Sequence, residues 1–539
     1  NSILEINLSE LSVVERASDN PLNSFSFSSE ISKTISLKQV LDNIEKAKKD
    51  NKIQGIYINT SYINAGISQI EEIRNKLLEF KSTGKPIIAY SEVYSQSAYY
   101  LASVANKIYL NPEGIIEIKG LSASVMFYKG MLEKLDVDVQ IIRHGKFKSA
   151  IEPFILEKMS EENREQLQLL LNSIANNLMD SIAKQRGISL KDVHQHANNL
   201  SLENAQKCVD LKYADALLYQ DQIEDTLIAL SKATSLNLIN LYKYTNVKTE
   251  KKLISRNKIA IIYATGEIKS GKGNVTTIGS KTTSEAIKKA REDKKTKAIV
   301  LRINSPGGSA LASDVIWRET ILAKAEKPLV VSMGDLAASG GYYIACAADS
   351  IIANPTTITG SIGVFGMIPN LQKLYKNKIG ITIDTVNTNH HADMGINRPL
   401  TKFEKNKIQR NIEGIYKTFI THVGEGRGMS TNSVDKIGQG RVWTGYDAKD
   451  IGLIDTYGGI EKAIEIAAYL ADIKDYRVIS LPKKKDPFIE LASKISNSSI
   501  LADQILEKLG FTTELTDPIE KLLKNEKIQA RLPYIMKLE

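Results

Sequence analysis

Along the chain, short runs of valine and isoleucine alternate with stretches in which apolar residues recur every three or four positions. Ile3 to Leu8 (ILEINL), Gly55-Ile-Tyr-Ile-Asn, Ile259 to Thr265 and Ala298-Ile-Val-Leu-Arg read as buried strands. Ile70 to Phe80 (IEEIRNKLLEF) and Ser313 to Lys324 read as amphipathic helices, and Glu161 to Arg186 and Lys405 to Glu425 as longer ones. Strands and helices in strict alternation predict stacked βα units, an α/β fold.

The pattern occurs twice. Gly84-Lys-Pro-Ile-Ile-Ala parallels Glu326-Lys-Pro-Leu-Val-Val, Tyr99-Tyr100 parallels Tyr342-Tyr343, and Asn111-Pro112 parallels Asn354-Pro355. Pro86 and Pro328 lie 242 apart, Asn111 and Asn354 lie 243 apart, and Asp215 and Asp455 lie 240 apart. A nearly constant offset predicts a tandem duplication: a first copy over 1–245, a linker over 246–256 and a second copy over 257–482. Residues 483–539 have no counterpart in the first copy. Apolar residues at Phe488, Leu491, Ile495, Ile500, Ile505 and Leu509 predict a helical tail there.

Composition narrows the function classes. With 42% apolar and 25% charged residues among 539, the chain can bury a core. A net charge of +9 over this length is too slight, and aromatics are too few, for a nucleic-acid interface. Cys208 and Cys346 alone cannot make a disulfide framework, and both read as small buried filler. His194 with His196 and His390 with His391 lack the spacing of a zinc protease, so both pairs read as solvated loop, and no metal site is predicted. No stretch reads as a membrane-spanning helix. The chain starts at Asn1, from which an upstream anchor is expected to have been removed.

The copies differ where chemistry would sit. In the second, Arg302-Ile-Asn-Ser-Pro-Gly-Gly308 follows a strand, and Ala337-Ala-Ser-Gly-Gly341 precedes an apolar helical run. Glycines let backbone amides approach a developing oxyanion, and a serine at a helix start is favoured as an anion by the dipole. The alternative is a close-packed strand-to-helix crossing without chemistry. In the first copy Gln96 stands at the position of Ser339, and the glycine turn is reduced to Asn64-Ala65-Gly66.

A serine nucleophile needs a base, and no histidine sits in a triad context. A lysine can serve if its reference pKa of about 10.4 falls by roughly 2 to 3 on burial. Lys148, beside Phe147, Ala150 and Ile151, is the candidate, with Arg143 and Lys146 adding like charge. The plain alternative is a solvated surface lysine.

Five segments together resemble one family: Phe147-Lys-Ser-Ala-Ile-Glu-Pro-Phe154, Asn304-Ser-Pro-Gly-Gly308, Met333 to Tyr343, Asn354 to Phe365 (NPTTITGSIGVF), and Gly440-Arg-Val-Trp-Thr-Gly445 with Gly452-Leu-Ile-Asp455. They are similar to the signal peptide peptidase A, or protease IV, family in its long duplicated form, with a crotonase-like, Clp-protease-like fold. The resemblance covers nearly everything up to about Leu481. It implies Ser339 as nucleophile, Lys148 as general base, Ser361 as the hydroxyl that positions the lysine, and an oxyanion hole at Gly307, Gly308 and Gly340. It further implies a serine peptidase that needs no metal, nucleotide or other cofactor and acts on signal peptide remnants. The expected setting is the bacterial inner membrane, with the body facing the periplasm and the chain built into a homotetramer. An acyl-CoA thioesterase or hydratase, and a non-catalytic scaffold, are the rival readings. Asp335-Leu336 before Ala-Ala-Ser departs from the family pattern and is expected to alter a subsite. Lysine and serine are expected to meet within one chain.

Overall fold

The computed structural model describes residues 1–17, 33–247, 255–482 and 528–531. Two parallel sheets carry the duplication. In the first copy the strand order is Ala216–Leu217, Lys107–Ile116, Ile87–Tyr94, Ile53–Asn59, Ser2–Ile6, Leu238–Asn240. In the second, Ile358–Gly360, Leu329–Ala338, Thr296–Ser305, Lys258–Thr265 and Arg477–Leu481 follow one another in parallel, and Val442–Thr444 closes the edge antiparallel. The tandem α/β duplication expected from the repeat is therefore the architecture of the protein. Strands read as fully apolar are buried on both faces, as parallel sheets covered by helices require.

The copies pack on a shared core, and the second copy keeps a further core of its own. A single cluster of buried side chains runs from Leu4, Ile6 and Ile58 through Ile70 and Phe80 of the first copy to Ile259, Val300, Val330 and Ile352 of the second. The helix Ile67–Lys81 explains how. Ile70, Ile73, Leu77 and Phe80 face its own sheet, but Glu71 and Glu72 are buried as well, against Thr356 and Arg302, because the second copy covers the opposite face.

The long helices form where predicted, at Glu161–Arg186 and Lys402–Arg427. Ser160 and the Thr401/Glu404 capping box start them, and Gly187 and Gly428 end them in the left-handed conformation. Of the linker, residues 248–254 lie outside the described residues.

The tail helix expected around Phe488 to Leu509 lies outside them too. Further on, Ile528–Arg531 is a strand, in a third, mixed sheet. That sheet runs Thr277–Gly279, Glu267–Lys269, Gly307–Ser309, Ile528–Arg531, Val364–Asn370, Asp138–His144. Its last pairing is antiparallel over seven residues, Val364 against His144 through Asn370 against Asp138, and joins the copies.

Two expectations need correction. His194 and His196 stand on the helix Leu190–Asn198, not on a loop, and His196 Nδ1 lies 3.2 Å from the Tyr213 hydroxyl. Asp335 is turned to the first copy: it accepts from the amides of Ser68 at 2.9 Å and Gln69 at 3.4 Å, at the start of the helix Ile67–Lys81. It answers that helix's unsatisfied amides, which is why a carboxylate stands there. Cys208 and Cys346 are buried and unbridged, as expected. Among the described residues no helix is long and apolar enough to cross a membrane, and no group of three or more His, Cys, Asp or Glu could hold a metal ion.

Candidate active site

Ser339 follows the strand Leu329–Ala338 and precedes the short helix Gly340–Ala345. Its backbone is strained, with φ +56° and ψ −113°. Such a conformation costs about 1 to 3 kcal/mol and lasts only where surroundings hold it. Here its amide donates to Gly360 O at 2.7 Å and its carbonyl accepts from Tyr343 N at 2.8 Å. The turn aims Oγ at the mixed sheet, toward the element that brings the lysine.

That element is the strand Asp138–His144, locked on Val364–Asn370. Lys148 comes four residues past its end, fully buried. Its Nζ lies 2.8 Å from Ser339 Oγ, 3.1 Å from Ser361 O and 3.1 Å from Ser361 Oγ. No carboxylate is among these partners. A neutral amine has two hydrogens and one lone pair, which three such neighbours satisfy; an ammonium would have no acceptor charge to offset its burial. Burial accordingly pushes the Lys148 pKa well below the usual lysine range. Arg143 and Lys146 are exposed to solvent, so burial and not like charge does this.

The walls of the pocket come from far along the chain. A Cβ on Gly440 would stand 2.7 Å from Lys148 Cβ, and one on Gly363 would stand 3.3 Å from Lys148 Cδ. Both positions must be glycine for the lysine stem to lie between them. Gly363 O also sits 3.4 Å from Ser339 Oγ. Phe147 N donates to Gln439 O at 2.9 Å, and Gln166 Nε2 donates to Phe147 O and to Ser149 Oγ, both at 3.1 Å. Glu152 accepts from Ser160 N and Asn163 Nδ2 below it. Gly363, Gly440, Gln166 and Glu152 carried no assigned role in the sequence. The glycines and Glu152 stand inside segments that carry the family resemblance, whereas Gln166 gives no signal.

Ser361 also has positive φ, +51°, and its amide donates to Arg441 O at 2.6 Å, which fixes its hydroxyl beside the lysine. Of the three glycines, Gly307 donates its amide to Ser305 Oγ at 3.1 Å and is occupied. A Cβ on Gly307 would stand 2.7 Å from Gly340 N, so the turn and the start of the helix line one spot. In the first copy the matching place is filled: Gln96 Oε1 accepts from Lys119 N and Gly120 N, and its Nε2 donates to Gly120 O. Lysine and serine thus meet once, within one chain.

A sequence model described as Peptidase family S49 matches residues 79–234 and 321–474, one region in each copy. "Protease 4" of Salmonella typhi is 38% identical over 456 residues, 82% of this chain and 73% of that protein. "Serine protease SPPA, chloroplastic" of Arabidopsis thaliana is 35% identical over 516 residues, 93% of this chain and 75% of that one. Among solved structures, a point mutant of ClpP1 from Listeria monocytogenes matches at 16% identity with a TM-score of 0.26, over 38% of this chain and 94% of that one.

Proposed function

The chain belongs to peptidase family S49 and is a serine peptidase, and from that premise we propose that Ser339 is its nucleophile and Lys148 its general base. The observation that carries the assignment is the 2.8 Å approach of a buried, uncompensated amine to the serine hydroxyl. Neutral Lys148 takes the Ser339 proton, and Oγ attacks the scissile carbonyl. The amides of Gly308 and Gly340 receive the oxyanion, and the lysine returns the proton to the leaving amine. Water repeats the sequence and frees the acid. Ser361, bonding Nζ by hydroxyl and carbonyl, points the lone pair at Ser339. A fluorophosphonate probe should label Ser339 and fail on Ser339→Ala; labelling of the alanine variant would refute the assignment.

The substrates in this reading are cleaved signal peptides and other short apolar peptides at the bacterial inner membrane, with the catalytic body facing the periplasm. The family resemblance supports this part. A leucine-rich signal-peptide core should be cut and a highly charged peptide of equal length left intact.

The acidic limb of kcat/KM should follow one group titrating well below the usual lysine range. Lysine acts only when neutral, so activity is full above its lowered pKa and falls as pH drops through it. His144 is the rival, and its ring stacks on Tyr416 at 4.0 Å, away from Ser339's partners. His144→Gln should leave the limb in place; a pH–rate profile that loses the limb would make histidine the base.

The homotetramer belongs to the same proposal, and the repeat says which edges would close it. Displaced by the offset of 243, Val364–Asn370 and Asp138–His144 fall on 121–127 and 381–387. Both stretches lie outside any strand, with Met126 at 55% and Val386 at 99% exposure. Pairing them between chains would repeat the pairing made within each chain, head to tail, and close a ring. Val386→Asp should shift native mass from tetramer toward monomer; an unchanged tetramer would put the interface elsewhere.

A further inference from the structure

Two parallel strands lead to the two halves of the oxyanion site, and they fall out of step just before it. Thr296–Ser305 and Leu329–Ala338 pair residue for residue from Ile299 opposite Leu329 to Ile303 opposite Met333, and the next pair is Ser305 opposite Ala337. Asn304 alone therefore faces Gly334, Asp335 and Leu336, a bulge beside the site. Gly308 follows Ser305, and Gly340 follows Ala337, by the same three residues. Whatever holds the bulge sets one amide against the other.

The Asn304 side chain holds it. Its Oδ1 accepts from Leu336 N at 3.1 Å, which turns its Nδ2 to Asp335 Oδ2 at 3.3 Å. The other carboxylate oxygen, Oδ1, accepts from Ser68 N at 2.9 Å and Gln69 N at 3.4 Å, at the start of the first copy's helix Ile67–Lys81. Two glycines make room. A Cβ on Gly334 would stand 3.2 Å from Asn304 Cβ, and one on Gly66 would stand 2.0 Å from Asp335 Oδ2. Gly66 belongs to Asn64-Ala65-Gly66, the first copy's counterpart of the glycine turn. Gln96 leaves that turn no nucleophile to serve, yet the turn seats the carboxylate that braces the second copy's strand.

We propose that Asn304 and Asp335 are positioning residues: their bond fixes the bulge that aligns the Gly308 and Gly340 amides, and the first copy's turn anchors it. The inference rests on the peptidase reading above. Donors act only when aimed at the place the oxyanion will occupy, so a shift of one strand against the other weakens the transition state more than the bound substrate. Acylation and deacylation both use these amides, so whichever step limits turnover reports the change.

Asp335→Asn keeps an oxygen for Ser68 and Gln69 but sets an amide N–H against Asn304 Nδ2, donor to donor. Its kcat for a peptide ester should fall about tenfold or more with KM within about twofold of native. A peptide aldehyde, whose tetrahedral adduct on Ser339 places an oxygen in the oxyanion site, should bind more weakly by the same factor. Asn304→Ala, which leaves Asp335 on the first copy, should show the same split. The double variant Asn304→Asp with Asp335→Asn reverses the bond, since the carboxylate then accepts from the amide and from Leu336 N. It should recover kcat to within about threefold of native. Melting curves show which variants are folded. Unchanged kcat in both single variants, a change in KM alone, no recovery in the double variant, or unfolding of both single variants would overturn this inference and leave the peptidase standing. A native chain that neither turns over the ester nor takes the fluorophosphonate probe at Ser339 would overturn the peptidase reading and this one with it.

Discussion

Ser339→Ala, Lys148→Ala and Lys148→Arg should each lower kcat/KM for a peptide ester by a factor of about 10³ or more, the scale expected when a nucleophile or its only base is removed. The arginine variant is the sharpest. Its guanidinium keeps its proton above pH 12, so it cannot accept one from serine. It is also planar and broad, whereas the lysine stem runs between Gly363 and Gly440 with no space for more. Charge at Nζ alone would survive the change; a lone pair would not. An active arginine variant would sink the dyad.

Gln96→Ala is the matching control and should keep activity, because Gln96 only holds the turn at Gly120 of the first copy. Both dyad residues lie in one chain, so mixing dissociated Ser339→Ala and Lys148→Ala chains and reassembling them should recover nothing. Recovered activity would mean that lysine and serine meet between chains in solution.

What the sequence could disclose was periodic. The duplication, the apolar parallel strands and the helix Glu161–Arg186 follow from spacing, because a covered sheet and a capped helix impose their own period. Ser339 and Lys148 were legible because they stand in quotable segments. What stayed hidden was set by partners distant in the chain. The helix Ile67–Lys81 shows a charged face that reads as solvated, yet a second copy more than two hundred residues on covers it. Lys148 read equally well as surface lysine, since the residues that enclose it, Gly363 and Gly440, come from the other copy. Nor does Gln-Ala-Arg, in a tail whose apolar spacing predicts helix, announce a strand, because its pairing is supplied by Gly307–Ser309 and Val364–Asn370.

Arg302→Met should cost about 3 to 5 kcal/mol of stability, the range for leaving buried charge unpaired. Arg302 is fully buried on the strand Thr296–Ser305 of the second copy. Its Nε donates to Glu15 Oε2 at 2.8 Å and its Nη2 lies 2.8 Å from Glu72 Oε1, both carboxylates from the first copy. Burial opposes the guanidinium's charge, but the two carboxylates outweigh it and raise its pKa. Methionine keeps much of the volume and strands both acids. Burial already holds the Glu72 carboxyl above the usual carboxylate range, and without the guanidinium it would keep its proton to still higher pH than in the unfolded chain, where glutamate titrates at about 4.3. The variant's deficit should therefore be small at the acid end and grow as pH rises from about 4 toward neutrality. Denaturant midpoints at pH 5 and pH 8 measure it. Adding Glu15→Leu and Glu72→Leu should recover most of the loss, since an apolar replacement of a whole buried cluster removes the desolvation cost along with the attraction. A deficit below about 1 kcal/mol at pH 8 would mean that water reaches the carboxylates. In that case the strand leading to the glycine turn would not depend on this charge cluster for its position.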